Sequence, residues 1–521
     1  MTIAGIIVKI IGSVNRIILS RMLGGEGIGL YQMAYPIYQL ALSVSSAGIP
    51  VAISILTAEK IALGDYIGAK RIFRLSLKVM IVTGFIFSGA LYYGAGWLID
   101  AQIVRDERAY YAIAALAPAI FFVTILSSYR GYFQGMQMMT PTAVSQIFEQ
   151  AVRVVVMIVL AVVFLPYGLE YAAAGASFGA APGAVAGVAV LLYYYWRYRI
   201  VHKEQLKLQN HEIQQESSKQ IIKRMIQLAL PVSLANIMLP VTASIDLFIV
   251  PARLEIAGYT VEAATELFGY LTGMAVALVN LPTILTASLA ASLVPAISEA
   301  GALKDRFGIA LRTTTALRMT ILLMMPSCAG LYLLAMPISE LLYATSNAGS
   351  CIAILSFGVI LLGIGQVTTG VLQGLGHTTI PLVNMIVAAL VKIVFSWVLT
   401  ANPAWGIEGA AWATNADFGT VALLNLYFID RYVGCRIHFK STCKVIAATL
   451  MMSVAVVVSY DTLMQGIWGN TIATLGAIAS GGGIYVVAIL LIGGITKNEI
   501  ESIPKIAKQL AKVLAKVRLI G

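Results

Sequence analysis

Arg153 and Lys392 are cations near the middle of two long hydrophobic segments, and they stand 239 residues apart. Guanidinium and ammonium groups hold phosphates and carboxylates through charge-assisted hydrogen bonds. A charge at mid-membrane costs about 2.5–3.5 kcal/mol on insertion scales, so it normally faces protein or a water-filled cavity. Two such cations at equivalent places in a duplicated chain make a shared anionic ligand, held between the two bundles, the first expectation. Glu149 precedes Arg153 by four residues, on the same helix face and in the favourable order for an ion pair. Lys392 has no acid three or four residues away on its own segment. Arg16 lies in the outer half of the first segment beside Asn15, and Asp246 and Asp417 lie in the seventh and twelfth. The ligand reading therefore covers Arg16, Glu149, Arg153 and Lys392, with Asp246 and Asp417 as candidates for ion coupling. The alternative stays open that Glu149–Arg153 and Asp417–Lys392 are ion pairs that only hold helices together.

The duplication rests on more than the two cations. The same 239-residue offset relates Gly131, Gln134 and Gly135 to Gly370, Gln373 and Gly374. An offset of 240 relates Asp65 and Gly68 to Asp305 and Gly308, and one of 238 relates Gly168–Ala173 to Gly406–Ala411. A half-chain period in an apolar protein is the mark of a transporter built from two related helix bundles.

Hydrophobic residues make up 59% of the chain and charged residues 11%. Many apolar runs exceed the ~18–20 residues that a helix needs to cross hydrocarbon. Six spans are expected near 3–22, 30–56, 77–99, 110–129, 142–165 and 171–196. Six more follow near 226–250, 268–294, 314–337, 352–375, 380–400 and 406–429, then two near 444–463 and 471–494. The fold class is thus an all-α integral membrane protein with fourteen transmembrane helices. It divides into an N-lobe (1–197), a linker (198–224), a C-lobe (225–430), an added helix pair (431–496) and a tail (497–521).

Of the 35 Lys and Arg, 27 fall in the segments after even-numbered spans, their flanks and the tail. Only Arg21, Arg105, Arg108 and Arg253 fall on the other side. The positive-inside rule then makes both termini cytoplasmic. The net charge of +11 is a topology signal and gives no reason to invoke nucleic acid. In the tail, Ile503, Ile506, Leu510, Val513 and Val517 share one helical face while Lys505, Lys508, Lys512 and Lys516 take another. That pattern suits a helix lying on anionic lipid, although a solvated helix would read the same way.

Several negative readings narrow the chemistry. Cys328, Cys351, Cys435 and Cys443 form no CxxC pair and no metal cluster with the four histidines, so they read as fillers or inert thiols. There is no GxxxxGK[ST] motif for ATP, no cofactor motif and no cleavable signal pattern. Glu170 and Glu408 open spans where acids complement a helix dipole, and Lys9 snorkels to the inner surface.

Specific stretches carry a family likeness. They are Gly27-Ile-Gly-Leu-Tyr-Gln-Met-Ala-Tyr-Pro36, Ser45-Ser-Ala-Gly-Ile-Pro-Val-Ala-Ile-Ser54, Tyr129–Gly135, Ser145–Arg153, Leu165–Gly175 and Leu293–Glu299. Together they resemble the stage V sporulation protein B family of polysaccharide-biosynthesis exporters in the MOP flippase superfamily, over nearly the whole chain. The resemblance implies two six-helix lobes arranged as a V, with an extra helix pair, as in the lipid II flippases. It also implies transport of an undecaprenyl-diphosphate-linked saccharide for cell-wall or spore-cortex peptidoglycan. The Arg–Asp pair that lipid II flippases carry in the first helix reads Asn15-Arg16 here, and spans two and eight contain no arginine. Carry-over of site residues is therefore limited to Arg16, Glu149 and Arg153. With almost no polar lead before span one, a few residues are expected to be missing ahead of Met1.

The leading expectation is a flippase, not an enzyme, whose partners are a lipid-linked oligosaccharide and membrane lipids. A monomer is compatible with it. A MATE-type cation or drug antiporter is the alternative, and it would favour mid-membrane acids over bases. A saccharide polymerase or ligase would need a sizeable outer loop, and the longest here, near 251–267, is short and lacks histidine. The topology has a direct check. Cysteines placed singly in 198–223 or after Lys497 should resist an impermeant thiol reagent in intact cells and react after permeabilisation. Labelling from outside would overturn the fourteen-span count.

Overall fold

The computed structural model describes residues 2–46, 48–201, 216–434, 439–466 and 469–493. The basic tail, His202, His211 and Cys435 lie outside the described residues. Among the described residues the structure is helical and contains no strand. By internal packing it divides into two compact units, Met1–Gly273 and Met274–Gly521.

The first unit contains α1 (Thr2–Ser46), α2 (Ile49–Ala62), α3 (Tyr66–Asp100), α4 (Ala109–Gly135) and α5 (Met139–Phe164). It continues through α6 (Leu169–Phe178), α7 (Ala180–Val201), α8 (Ser218–Ile256) and α9 (Val261–Phe268). A π-helical segment, Gly269–Ala275, runs on from α9. The second unit contains α10 (Val276–Ala302), α11 (Arg306–Leu333), α12 (Ala335–Tyr343) and α13 (Gly349–Gly374). It ends with α14 (Thr379–Leu399), α15 (Gly406–Val433), α16 (Phe439–Gln465) and α17 (Gly469–Leu491).

Among the described residues, 11 helical stretches are long and apolar enough to span a membrane. One of them, Ile7–Ala62, holds the first two expected spans, because Gly24 breaks the helix inside it (φ 67°, ψ −171°). The break is a single residue where the sequence suggests a longer loop. Glycine alone enters that left-handed region without strain, and α1 resumes at once. Helices α8 and α15 stand where the seventh and twelfth spans are expected. The chain is therefore the all-α, multi-pass membrane protein that its composition requires. Large apolar side chains such as Phe85, Trp97, Val159, Leu390, Val394 and Leu450 remain exposed on the outer faces, as hydrocarbon in place of water permits.

The duplication is visible as matched local chemistry within each unit. Asp65 Oδ1 accepts from the Gly68 amide at 2.7 Å and caps α3, while Asp305 Oδ1 accepts from Gly308 at 2.8 Å and caps α11. Each carboxylate satisfies one of the amides that a helix start leaves bare. Gly131 of α4 lies so close to α2 that an added Cβ would sit 2.6 Å from the Pro50 carbonyl oxygen. Gly370 of α13 meets α10 in the same way, 2.8 Å from the Ala290 carbonyl oxygen. The paired GxxxG motifs thus end transmembrane helices at close crossings, where small residues let backbones approach. The chain reverses just after each, through Gln137 (φ 58°) in the first repeat and Gly376 (φ 84°) in the second.

Ion pairs fasten both ends of the first unit. Near the basic end, Lys60 is only 9% exposed and its ammonium lies 2.9 Å from Glu216 and 3.6 Å from Asp65. Arg224 of α8 holds Glu59 of α2 at 2.7 Å. At the far end, the Arg108 guanidinium makes two hydrogen bonds to Asp106 and a third, at 2.6 Å, to Glu26 of α1. Thr265 of α9 donates to the same Asp106 at 2.8 Å. Those hydrogen bonds, to Asp106 first and then Glu26, raise the Arg108 pKa above its ordinary value against the opposing effect of burial.

The matched crossings make a stability prediction. Gly131→Val and Gly370→Val should each cost about 1–3 kcal/mol through overpacking. Each should lower the melting temperature of the purified protein, while Gly89→Val, which meets nothing within 4 Å, should not. Fluorescence-detected thermal unfolding in detergent would check this.

Candidate functional site

Helix α5 presents two faces of opposite character. Thr142, Ser145, Met157 and Ala161 are buried, and Glu149 and Arg153 continue that stripe at four-residue spacing. Val155, Val159, Val162 and Val163 are exposed on the other side. A polar stripe on a helix with an apolar back is what a span needs when it faces protein on one side and lipid on the other. Helix α7 lies against this stripe because its contact residues are glycines. A Cβ on Gly183 would sit 2.8 Å from both the Arg153 Cβ and the Glu149 carbonyl oxygen. Gly187, one turn on, would approach the Glu149 Cβ at 3.4 Å. The α7 backbone thus fixes where the two charges stand.

Glu149 has two cationic partners. Its Oε1 accepts from Arg153 Nη2 at 2.6 Å, and its Oε2 accepts from Arg130 Nη2 at 2.8 Å. Arg130 also donates from Nε to Ser145 Oγ at 3.2 Å. The three side chains are 13–19% exposed, so the group is largely withdrawn from solvent. Two guanidiniums on one carboxylate leave a net positive charge. Arg153 Nε is buried and, among the described residues, has no hydrogen-bond partner.

Sequence spacing identified the Glu149–Arg153 pair but placed Arg130 among the basic flanks of a loop. The structure puts Arg130 inside α4, which continues to Gly135. What could have revealed it is the GxxxG motif, since a residue beside Gly131 cannot be in a loop if Gly131 packs helix on helix.

Helix α1 supplies the remaining groups near the triad. Arg153 is within electrostatic reach of Tyr31, Tyr35 and Tyr38, and Arg16 is within reach of Tyr31. Among the described residues Arg16 forms no salt bridge within 4.0 Å. Its neighbour Asn15 is 7% exposed and donates to the Met157 sulfur of α5 at 3.6 Å. Arg16, Glu149 and Arg153 are therefore brought to one region of the first unit, joined by Arg130 and three tyrosines. Asp246 is buried on α8 of the same unit.

Lys392 and Asp417 belong to the second unit. Lys392 is 4% exposed and lies on the buried stripe of α14 with Asn384, Ala388 and Ser396. The offset that carries Arg153 onto Lys392 carries Ser145 onto Asn384 and Glu149 onto Ala388. The acid of the first repeat is thus a methyl group in the second. Asn384 donates to Asn425 of α15 at 2.8 Å, and Asn425 donates to Thr369 at 2.9 Å and Thr368 at 3.2 Å on α13. This neutral amide network ties α13, α14 and α15 together in the second unit. Asp417 is 7% exposed on α15.

The shared carboxylate makes an asymmetric prediction. Glu149→Gln leaves two guanidiniums facing each other without their counter-charge, and removing one partner of a buried ion pair costs about 3–5 kcal/mol. Arg153→Gln leaves Glu149 paired with Arg130, so it should cost much less. Membrane abundance and thermal stability should fall clearly for Glu149→Gln and little for Arg153→Gln.

Comparison with known proteins places this geometry in a family. Residues 1–301 match the family described as Polysaccharide biosynthesis protein. The chain is 32% identical over 511 residues to Stage V sporulation protein B of Bacillus subtilis (strain 168), covering 97% of this chain and 96% of that protein. It is 25% identical over 508 residues to Lipid II flippase MurJ of the same organism, covering 93% of each. Among solved structures, lipid II flippase MurJ in an inward closed conformation superposes with a TM-score of 0.71 at 15% identity. That match covers 94% of this chain and 97% of that one, and it shows the fold. The fold is the one that lipid II flippase MurJ and a MATE-family transporter share. The chain belongs to the polysaccharide biosynthesis protein family.

Proposed function

We propose that this protein is a flippase that moves a polyprenyl-diphosphate-linked saccharide across the cytoplasmic membrane by alternating access. The observation that carries this reading is the positive excess around Glu149. A diphosphate head bears two or more negative charges, and unaided crossing would expose them to hydrocarbon. Arg130 and Arg153 together exceed Glu149 by one positive charge, and the buried Arg153 Nε keeps a donor to spare. Arg16 adds a further cation, and Lys392 serves the same kind of anion from its own repeat. The likeness to Lipid II flippase MurJ supports a peptidoglycan precursor as cargo. The likeness to Stage V sporulation protein B supports a sporulation-linked one.

A MATE-family multidrug transporter shares the fold, so the fold does not choose between the two cargoes. The site favours the anion. An acid that must release and recapture cations should not be held by two arginines, as Glu149 is. Asp246 and Asp417 are the carboxylates proposed for ion coupling, since an ion gradient or the membrane potential would have to supply the energy.

Charge removal at normal abundance is the test. Arg153→Gln and Lys392→Gln should each remove a charge-assisted contact worth about 1.5–3 kcal/mol. Rescue of cells depleted of their lipid II flippase, or translocation in proteoliposomes, should fall roughly ten- to a hundredfold. Unchanged transport and abundance in Lys392→Gln would remove the cation of the second repeat from the proposal. Unchanged transport in both variants would end it.

A further inference from the structure

We propose that Tyr31 and Tyr35, backed by the buried Tyr38, are a stacking platform for the sugar rings of the transported lipid, beside the arginines that hold its diphosphate. This rests on the flippase reading above and names the part of the substrate that a second set of residues recognises. The three tyrosines recur at four- and three-residue spacing on α1, which sets them in one stripe. Their rings follow one another, with centroids 5.8 Å apart between Tyr31 and Tyr35 and 6.0 Å apart between Tyr35 and Tyr38. Tyr31 and Tyr35 are half-buried, and Tyr38 is 2% exposed.

Their hydroxyls show what the stripe is for. The Tyr35 hydroxyl accepts from Gln39 Nε2 at 2.7 Å. Among the described residues, no protein hydrogen bond is seen at the hydroxyls of Tyr31 and Tyr38, whose interactions are burial and the charges around them. These residues stand within an apolar span, where an unmet polar group costs several kcal/mol unless water or a polar ligand reaches it. Phenylalanine would have packed as well at less cost, so the hydroxyls need a polar partner that comes and goes.

A pyranose ring matches this surface on both counts. Its C–H face is apolar and packs on an aromatic ring, while its rim of hydroxyls both donates and accepts. A cationic drug would also suit aromatic faces, but Arg16 and Arg153 repel it there. A prenyl tail would leave the phenolic hydroxyls unmet. Head and sugar are covalently joined in the cargo, so a platform within reach of Arg153 is where the rings would fall.

Binding to two lipids separates this inference from the reading beneath it. The full-length protein in detergent is titrated with lipid II, which carries sugars, and with undecaprenyl diphosphate, which does not. Native mass spectrometry or intrinsic tyrosine and tryptophan fluorescence reports the affinity. Tyr31→Leu combined with Tyr35→Leu should weaken lipid II about tenfold and leave undecaprenyl diphosphate unchanged. Tyr35→Trp, which keeps a stacking face if the double variant folds poorly, should hold lipid II within about twofold of the parent. Arg153→Gln should weaken both lipids alike. Equal weakening of both lipids by the leucine pair, or no weakening of either, would overturn the platform and leave the flippase reading standing. Failure of the unaltered protein to bind either lipid, or indifference of both lipids to Arg153→Gln, would overturn the flippase reading and the platform with it.

Discussion

A carboxylate held by two guanidiniums in an otherwise apolar helix bundle is the interaction on which the first unit depends. In hydrocarbon no water is at hand to screen or solvate a stray charge, so each must find its partner within the protein. Glu149 does this for Arg153 on its own helix and for Arg130 on α4. The arrangement needs α4, α5 and α7 in one place. Gly183 and Gly187 allow it by letting the α7 backbone approach the helix that carries the charges. The excess of one cation that results is tolerable only where a mobile anion or water can answer it, and that is the property a carrier of charged lipid requires.

The two repeats keep their scaffold and vary their charge. Helix caps at Asp65 and Asp305, close crossings at Gly131 and Gly370, and the reversals at Gln137 and Gly376 are all in register. They govern backbone geometry, which a duplicated fold cannot change piecemeal. The stripe on the inner face of α5 and α14 is freer. Ser145, Glu149 and Arg153 in the first repeat correspond to Asn384, Ala388 and Lys392 in the second. The acid that precedes the cation by one helical turn in the first repeat is thus an alanine in the second, while Asn384 stands where Ser145 does. A point ammonium and a planar guanidinium also differ in reach and in the anions they fit. The asymmetric cargo proposed above, with a charged head, sugars and a tail, would give a reason for such divergence.

Polar fastenings at both ends of the first unit fit the same constraint. Lys60 with Glu216 and Asp65, and Arg108 with Asp106 and Glu26, lie at helix ends, where charges can be exchanged for water at modest cost. The ones at the centre are largely withdrawn from solvent and tie α4 to α5. The division of labour follows from depth in the membrane, since the same ion pair costs far more to break in hydrocarbon than at its edge.

Much of this was legible in the sequence because the membrane makes composition decisive. Apolar runs must be helices there, and their ends, their number and the half-chain period followed from residue type alone. The i,i+4 spacing of Glu149 and Arg153 favoured their contact on any helix, and the Asp–x–x–Gly repeats marked the duplication whose caps the structure shows. What the sequence could not settle was which helix lies against which. Arg130 read as a loop cation because nothing local distinguishes the last turn of a span from the loop beyond it. Only the packing of Gly131 on Pro50 and the meeting of α4 with α5 bring Arg130 onto Glu149. The nearness of the α1 tyrosines to Arg153, 115 or more residues later in the chain, is likewise a tertiary fact. Local chemistry is written in spacing along the chain, whereas a site assembled from three helices is decided by which faces are small enough to approach one another.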